Sequence, residues 1–314
     1  MKDFTRRELL AGSAALGAMA AAPLSLAASG LVNARFGEDT EQEKIAGPSP
    51  ISPPASGSIP VAFPISDGAV VIDFCGPYEV FRVVGGKHGN RAFNMYTVAD
   101  KIAPITASGG MIVTPNYTFE TAPPPKVIVI PAQNGASDAM LKWIREATKK
   151  TDVTMSVCAG AFVLAQTGLL SGKAATTYHF AYTDLAMQYP DVHVKRGYRF
   201  VEEGNIATAG GLTSGMDLAL RVVERYYGRE KAMETADTLE YQGEGWKDSS
   251  GAANQKYATN DPTGQTCVIC GMGVDAKTAL SSVYHGHTYY FCSQGHKDTF
   301  DQAPEKVLEM LTAK

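Results

Sequence analysis

The sequence predicts an α/β protein with a doubly wound, flavodoxin-like and mostly parallel sheet, followed by a small α+β metal-binding module. Two observations indicate this architecture. Short β-branched runs alternate with segments of helical period over residues 59–246, as parallel strands alternate with crossover helices. Cys75 and Cys158 lie far apart within that region, whereas Cys267, Cys270 and Cys292 lie close together near the C-terminal end. The cysteine distribution therefore favours two domains.

The first 28 residues have the pattern of an export signal. They combine a charged start that contains Arg6-Arg7, an Ala/Leu-rich middle and small residues at the end. The apolar stretch is shorter than the roughly 20 residues that a bilayer span needs, so no stable membrane insertion is expected. The pattern predicts a twin-arginine signal peptide (1–28) and a periplasmic or otherwise exported protein. Residues 29–58 are rich in Pro, Ser and Gly and are predicted to be a disordered lead.

The net charge argues against nucleic-acid binding. The whole chain carries a formal charge of −4. Removal of residues 1–28 would take away three cations and two anions, which leaves a mature chain that is slightly more acidic. A domain without a basic surplus or a Lys/Arg run has little electrostatic attraction for phosphates.

The elements of the large domain can be assigned in order. The predicted strands are "IPVAFP", "AFNMYTVA", "KVIVIPA" and "DVTMSVC". The predicted helices are "GPYEVFRVVGG", "ASDAMLKWIREATKK" and "AGAFVLAQTGLL". A hairpin is expected in "RGYRFVEEGNIATAG", followed by a long helix that ends at Gly228.

Cys158 stands at the carboxyl end of one predicted strand, where the reactive groups of such sheets collect. Ser156 and Gly160 put small residues two positions to either side, which is the spacing of a strand-to-helix nucleophile elbow. The N–H groups of the following helix would favour a thiolate there and could hold an oxyanion. The alternative is a small buried thiol in the core.

Three stretches resemble the ThiJ/PfpI superfamily of the class I glutamine-amidotransferase-like fold. They are "VCAGAFVLAQTGLLSGKAATT", "GNIATAGGLTSGMDLAL" and "DFCGPYEVF". The resemblance is strongest to the branch that includes isonitrile hydratase and the sensor domains of some AraC-type regulators. It implies that Cys158 is the nucleophile, that Asp73 is its acidic partner, that the substrate is a small electrophile, and that the protein is a homodimer. On residue type alone, Asp73 could instead cap a turn or a helix, with Asp67 as the substitute acid.

Three departures from that branch concern the site. Ala159 follows the nucleophile where a hydroxyl residue is usual, so one hydrogen-bonding group is missing, and the backbone N–H groups around Ala159 would stabilise developing charge. Pro131-Ala132-Gln133 replaces Pro-Gly-Gly, and the Gln133 amide could act as the donor instead. Tyr178 occupies a position that is usually His, with His179 one residue later. His179 would orient or deprotonate the thiol, or it would face away.

Cys75 lies two residues after Asp73. In an exported protein it could pair with Cys158 or resolve a sulfenic acid there. A half-buried position without a role in the chemistry is the alternative.

The C-terminal module, residues 261–314, follows a polar linker at 247–260. Cys267-x-x-Cys270 and Cys292-x-x-x-His296 supply four ligands for a tetrahedral metal site, and a unit this small needs such a site to fold. A Cys3His set suits zinc, with copper as the other candidate. An exported CxxC disulfide is the alternative for Cys267 and Cys270.

The module also resembles the YHS/TRASH heavy-metal domain. The matching stretches are "CGM", "YHGHTYYFCS" and "FDQAPEKV", with His296 in place of the usual last Cys. Two functions stay open for a chain that carries both domains. The first is a cysteine-dependent hydro-lyase, similar to isonitrile hydratase, or a hydrolase, which needs no cofactor at Cys158. The second is a non-catalytic metal- or stress-response protein of a binding or chaperone-like kind.

Overall fold

The computed structural model describes residues 49–85, 91–254 and 266–312. The predicted signal peptide and most of the predicted lead therefore lie outside the described residues. The strands are β1 (Ile59–Pro64), β2 (Phe93–Ala99), β3 (Ile105–Thr106), β4 (Ile112–Val113), β5 (Tyr117–Thr118), β6 (Val127–Ile130), β7 (Val153–Val157), β8 (Ala174–Ala175), β9 (His193–Val194), β10 (Phe200–Glu203), β11 (Ile206–Ala209), β12 (Leu280–Tyr284) and β13 (His287–Phe291).

The helices are α1 (Val71–Val83), α2 (Asp138–Thr148), α3 (Gly160–Gln166), α4 (Tyr182–Gln188), α5 (Ser214–Thr238), α6 (Gln294–Gln302) and α7 (Pro304–Thr312). Short 3-10 turns at Ser108–Gly110, His179–Ala181 and Gly245–Lys247 complete the described secondary structure. Within the described ranges, no helix combines the length and the apolar character that a membrane crossing requires.

Seven strands form the central sheet in the order β10-β11-β7-β6-β1-β2-β5. All neighbours pair in parallel except β10 and β11, which form an antiparallel hairpin at one edge. Side chains alternate between the two faces of a strand. In β1, Val61 and Phe63 belong to a core with α1 and α5, while Ala62 belongs to a second core with α2 and α3. Helices therefore cover both faces, and the predicted doubly wound fold is confirmed.

Two helices differ from their predicted bounds. Helix α1 begins at Val71, five residues before the predicted "GPYEVF" segment, and Pro77 lies inside it. Asp73 is thus in the first turn of a helix and does not cap one. In α5 the backbone leaves the helical region at Gly228, with φ 84° and ψ 166°, but helical structure resumes and continues to Thr238.

The described parts of the predicted lead and of the predicted linker contact the large domain. At the end of the predicted lead, Ile51 N–H donates to the Arg225 carbonyl at 2.8 Å. At the start of the predicted linker, the Gly251 carbonyl accepts from Arg199 N–H at 2.6 Å. Gly251 has φ 71°, and a Cβ there would lie 1.9 Å from the Phe200 carbonyl oxygen. The linker therefore begins as an ordered segment beside β10.

The C-terminal module is small and mixed α+β. Strands β12 and β13 pair as an antiparallel hairpin, and α6 and α7 follow. Phe291, Phe300 and Val307 form its apolar centre together with the cysteine pair Cys267 and Cys270. The α+β prediction for this module is confirmed.

Candidate active site and metal centre

Cys158 lies on a sharp turn between β7 and α3. Its φ of 58° is in the left-handed region, which few residues other than Gly adopt. The turn is fixed from both sides, because the Cys158 N–H donates to the Gly210 carbonyl at 2.9 Å and its carbonyl accepts from Thr177 Oγ1 at 2.9 Å. Gly160 is required two residues later, since a Cβ there would lie 2.2 Å from the Ile130 carbonyl oxygen. The geometry is that of a nucleophile elbow.

Two backbone N–H groups lie in hydrogen-bonding contact with the Cys158 thiol. One comes from Ala159 at the start of α3, and the other from Leu212 in the loop after β11. Leu212 itself has φ 44°. The neighbouring Gly211 leaves room for the Tyr178 ring, since a Cβ at Gly211 would lie 2.7 Å from that ring. The pair of N–H groups can hold negative charge on the sulfur or on an atom bonded to it. Leu212 was not among the residues predicted for the site.

Asp73 reaches the thiol from α1 and is fully buried. Its Oδ2 accepts a hydrogen bond from the Ala132 N–H at 3.1 Å. Oδ1 has no hydrogen-bond partner among the described residues, and the carboxyl interacts with the Cys158 thiol. Burial raises the pKa of Asp73 to about 7, so the group exchanges protons near neutrality, as a general acid or base must.

The thiol is held in its neutral form by its surroundings. Burial, and then the negative charge of Asp73, raise the pKa of Cys158 to about 12, while the N–H groups of Ala159 and Leu212 lower it. The thiolate-favouring effect expected from the helix is present, but burial outweighs it. Since a charged Asp73 opposes a charged Cys158, the two groups titrate as a pair that keeps at least one proton near pH 7.

The metal-ligand cluster assembles as its spacing predicts. The ligand atoms of Cys267, Cys270, Cys292 and His296 all lie within 4.8 Å of one another. Cys270 Sγ lies 3.6 Å from Cys292 Sγ, and His296 Nδ1 lies 3.5 Å from Cys267 Sγ. Zn–S and Zn–N bonds of about 2.3 and 2.1 Å in a tetrahedron place ligand atoms roughly 3.5–3.8 Å apart. Three thiols and one imidazole nitrogen therefore fit zinc in both type and spacing, and their type also suits copper.

Local structure explains how the four ligands meet. Cys267 and Cys270 lie on one tight turn, in which Gly271 N–H donates to the Cys267 carbonyl at 2.7 Å. Cys292 follows β13, and His296 lies in the first turn of α6, where its N–H donates to the Ser293 hydroxyl at 3.3 Å. Cys267 and Cys270 are buried, whereas Cys292 is exposed. All five cysteines are free thiols, so the CxxC disulfide is not formed here.

Residues 60–225, more than half of the chain, match the model of the DJ-1/PfpI family. The chain belongs to the DJ-1/PfpI family. Residues 268–309 match the YHS domain, so the C-terminal module is a YHS domain. Both predicted resemblances are confirmed.

Known relatives agree with this assignment. Isonitrile hydratase of Pseudomonas putida is 35% identical over 175 residues, which are 54% of this chain and 73% of that protein. The HTH-type transcriptional regulator CdhR of Pseudomonas aeruginosa is 24% identical over 56% of this chain and 53% of its own length.

Solved structures show the same fold. A ThiJ/PfpI family protein from Pseudomonas syringae covers 68% of this chain and 84% of its own, with a TM-score of 0.53 at 23% identity. Drosophila melanogaster DJ-1beta covers 60% of this chain and all of its own, with a TM-score of 0.51 at 21% identity.

Three further residues were candidates for the site of the DJ-1/PfpI domain. Gln133 Oε1 accepts from the Ser66 N–H at 2.7 Å, so the Gln133 amide supports a loop. The second donor beside the Cys158 thiol is the Leu212 N–H and not the Gln133 amide. Asp67 is exposed and accepts from Thr106 N–H at 2.8 Å, which excludes it as the acid beside Cys158. His179 packs between Tyr178 and Phe180, with ring centroids 4.7 and 4.0 Å away. Its catalytic role stays a prediction.

Cys75 is half-buried on α1 and packs against the same core as Cys158. Burial and the charge of Glu79 raise the pKa of its thiol. Cys75 and Cys158 are both free thiols, so they do not form a disulfide here. A role for Cys75 as a resolving cysteine stays a prediction.

Proposed function

We propose that the DJ-1/PfpI domain adds water to an isonitrile, or to a similar small electrophile, through Cys158. The observation that carries the proposal is the elbow thiol, which faces a buried carboxyl and two backbone N–H donors. The 35% identity to isonitrile hydratase supports the substrate class.

The reaction can be written with the groups present. Asp73 transfers the thiol proton to the isonitrile carbon while the Cys158 sulfur bonds to that carbon, which gives a thioimidate. Asp73 then takes a proton from water as the water oxygen adds to the same carbon. Breaking the C–S bond, with return of one proton to sulfur and one to nitrogen, releases an N-substituted formamide. A carboxyl with a pKa of about 7 is suited to both directions of proton transfer.

A simple alkyl isonitrile is the probe for this proposal. The intact chain is expected to convert it to the formamide, and Cys158→Ala is expected to lower the rate roughly a thousandfold or more, because the nucleophile is lost. Product is measured by chromatography and the thioimidate by intact mass after rapid quenching. Cys75→Ala is the matched control and should retain activity. Turnover that survives Cys158→Ala would refute the covalent mechanism.

The raised pKa of Cys158 favours a second candidate function. A largely protonated thiol, with Ala159 where a hydroxyl residue is usual, is compatible with a non-catalytic binding domain. In that case the intact chain forms no formamide from the isonitrile probe.

We propose that the YHS domain holds one metal ion, with zinc preferred over copper. The donor set of Cys267, Cys270, Cys292 and His296 supports this, because thiolate and imidazole ligands in a tetrahedral array suit zinc. Bound metal would stabilise the folded module. The metal has no role in the chemistry proposed for Cys158.

We further propose that residues 1–28 direct export by the twin-arginine pathway to the periplasm. Arg6-Arg7 ahead of an Ala/Leu-rich stretch supports this. N-terminal sequencing of the exported protein is expected to show cleavage after about Ala27 or Ala28. An uncleaved chain that stays in the cytoplasm would contradict the proposal. The homodimer stays a prediction.

A further inference from the structure

The metal-ligand cluster of the YHS domain contacts one helix of the DJ-1/PfpI domain. Helix α4 places the Asp184 carboxylate 3.7 Å from His296, measured between Oδ2 and Nε2. Its neighbour Thr183 donates its hydroxyl to the Ile269 carbonyl at 3.0 Å. Ile269 lies between the ligands Cys267 and Cys270. Thr183 therefore contacts the turn that carries Cys267 and Cys270, and Asp184 contacts His296.

The two ring nitrogens of His296 face different groups. Nδ1 lies 3.2 Å from Cys292 Sγ and 3.5 Å from Cys267 Sγ, so this nitrogen is directed at the position of a metal ion. Nε2 faces Asp184 on the opposite side of the ring. A metal-bound histidine ordinarily donates its other N–H to a carboxylate or carbonyl, which fixes the tautomer and makes the ring a better ligand.

Apolar packing supports the same contact. Phe180, just before α4, and Met187 within it pack against the core of the YHS domain. They lie on either side of Asp184 along the chain, so the segment that carries this carboxylate contacts the YHS domain at residues before and after it. The arrangement is a built interface, more extensive than a single surface ion pair.

We propose that Asp184 of the DJ-1/PfpI domain is a positioning residue for the metal ligand His296, so that metal binding holds α4 against the YHS domain. The inference rests on the proposed metal binding. It assigns part of the metal centre to a different domain from the one that supplies the four ligands. Metal affinity and the order of α4 then depend on each other, because linkage between two equilibria is reciprocal.

Zinc affinity tests the proposal in the metal-free full chain, by competition with a chromophoric chelator. Asp184→Ala is expected to weaken zinc binding about 10- to 100-fold, the usual effect of removing the partner of a ligand histidine. Asp184→Asn keeps an acceptor oxygen and should fall between Asp184→Ala and the parent chain. Asp298→Asn removes an equal charge from an exposed position on α6 and is expected to change the affinity less than about threefold.

Two further measurements separate positioning from a general structural effect. Imidazole ¹⁵N NMR of the zinc-bound chain should show a slowly exchanging proton on Nε2 of His296, and Asp184→Ala should make that proton exchange rapidly. Amide hydrogen exchange in α4 should slow on addition of zinc in the parent chain but not in Asp184→Ala.

The outcomes distinguish the two proposals. If the parent chain binds zinc and Asp184→Ala binds it equally well, the role of Asp184 is overturned and the metal site stands. If the parent chain binds no more zinc than Cys270→Ser, the metal site fails and the role of Asp184 fails with it.

Discussion

Asp73→Asn is expected to make Cys158 more reactive towards iodoacetamide and, at the same time, to abolish isonitrile hydration. The negative charge of Asp73 contributes to the raised pKa of Cys158, so its removal lowers that pKa and increases the thiolate fraction at pH 8. We expect alkylation to accelerate about three- to tenfold. Hydration should fall roughly a hundredfold or more, because no acid remains to deliver a proton to carbon.

Unfolding would also expose the buried thiol and abolish hydration, so the folded state of Asp73→Asn is checked by its urea unfolding transition before the two rates are compared. Asp67→Asn is the control, since that carboxylate is exposed and bonded to the Thr106 backbone, and it should leave both rates unchanged. A variant at Asp73 that hydrates at the parent rate, or that alkylates more slowly, would show that the carboxyl does not act on the thiol.

The same substitution should change how stability depends on pH. The folded pKa of Asp73 lies near 7 and the unfolded value near 3.8, so its stabilising contribution is complete below pH 3.8 and is lost as the pH rises through 7. The loss is at most about 4 kcal/mol, at roughly 1.4 kcal/mol per pH unit. Urea unfolding at pH 5 and 8 should show a smaller decline for Asp73→Asn than for the parent chain.

Cys270→Ser is expected to remove the metal and unfold the YHS domain while the DJ-1/PfpI domain stays folded. The described part of the module, residues 266–312, has a small apolar core, in which Cys267 and Cys270 are themselves buried members. Such a unit depends on metal for much of its folding free energy. We expect metal content to fall from about one ion per chain to near zero, with proteolysis confined to the C-terminal region.

Cys75→Ser is the matched control for this prediction, because Cys75 lies outside the ligand cluster. It should retain the metal and the protease resistance of the parent chain. A Cys270→Ser chain that keeps a full equivalent of metal, or that resists protease as the parent does, would show that the four residues do not form a stabilising site.

Much of the sheet was predictable because buried parallel strands have a simple pattern. Strand β1 was predicted without error, and β2, β6 and β7 to within two residues, since each is a β-branched run between turn residues. The start of α1 was not predictable. Gly76 and Pro77 are typical of a helix boundary, yet packing against α5 keeps both within the helix.

Parts of the candidate sites were predictable from the sequence and parts were not. The predicted elbow is present at Cys158, because the tight turn requires small neighbouring residues and these can be read from the sequence. Leu212 contributes a backbone N–H, which any residue type could supply, so only the preceding glycine pair indicates this position in the sequence. Asp184 acts across a domain boundary, more than 80 residues before the first metal ligand, and only tertiary structure brings it to His296.

The left-handed backbone at Cys158 bears on how the chain can evolve. Gly or Asn would adopt a φ of 58° with less strain than Cys, by about 1 kcal/mol. Substitution by Gly or Asn at this position therefore gains in backbone energy although it discards the thiol. Selection for folding alone would favour such a substitution, so a cysteine at this position is explained by what the sulfur does and not by the stability of the turn.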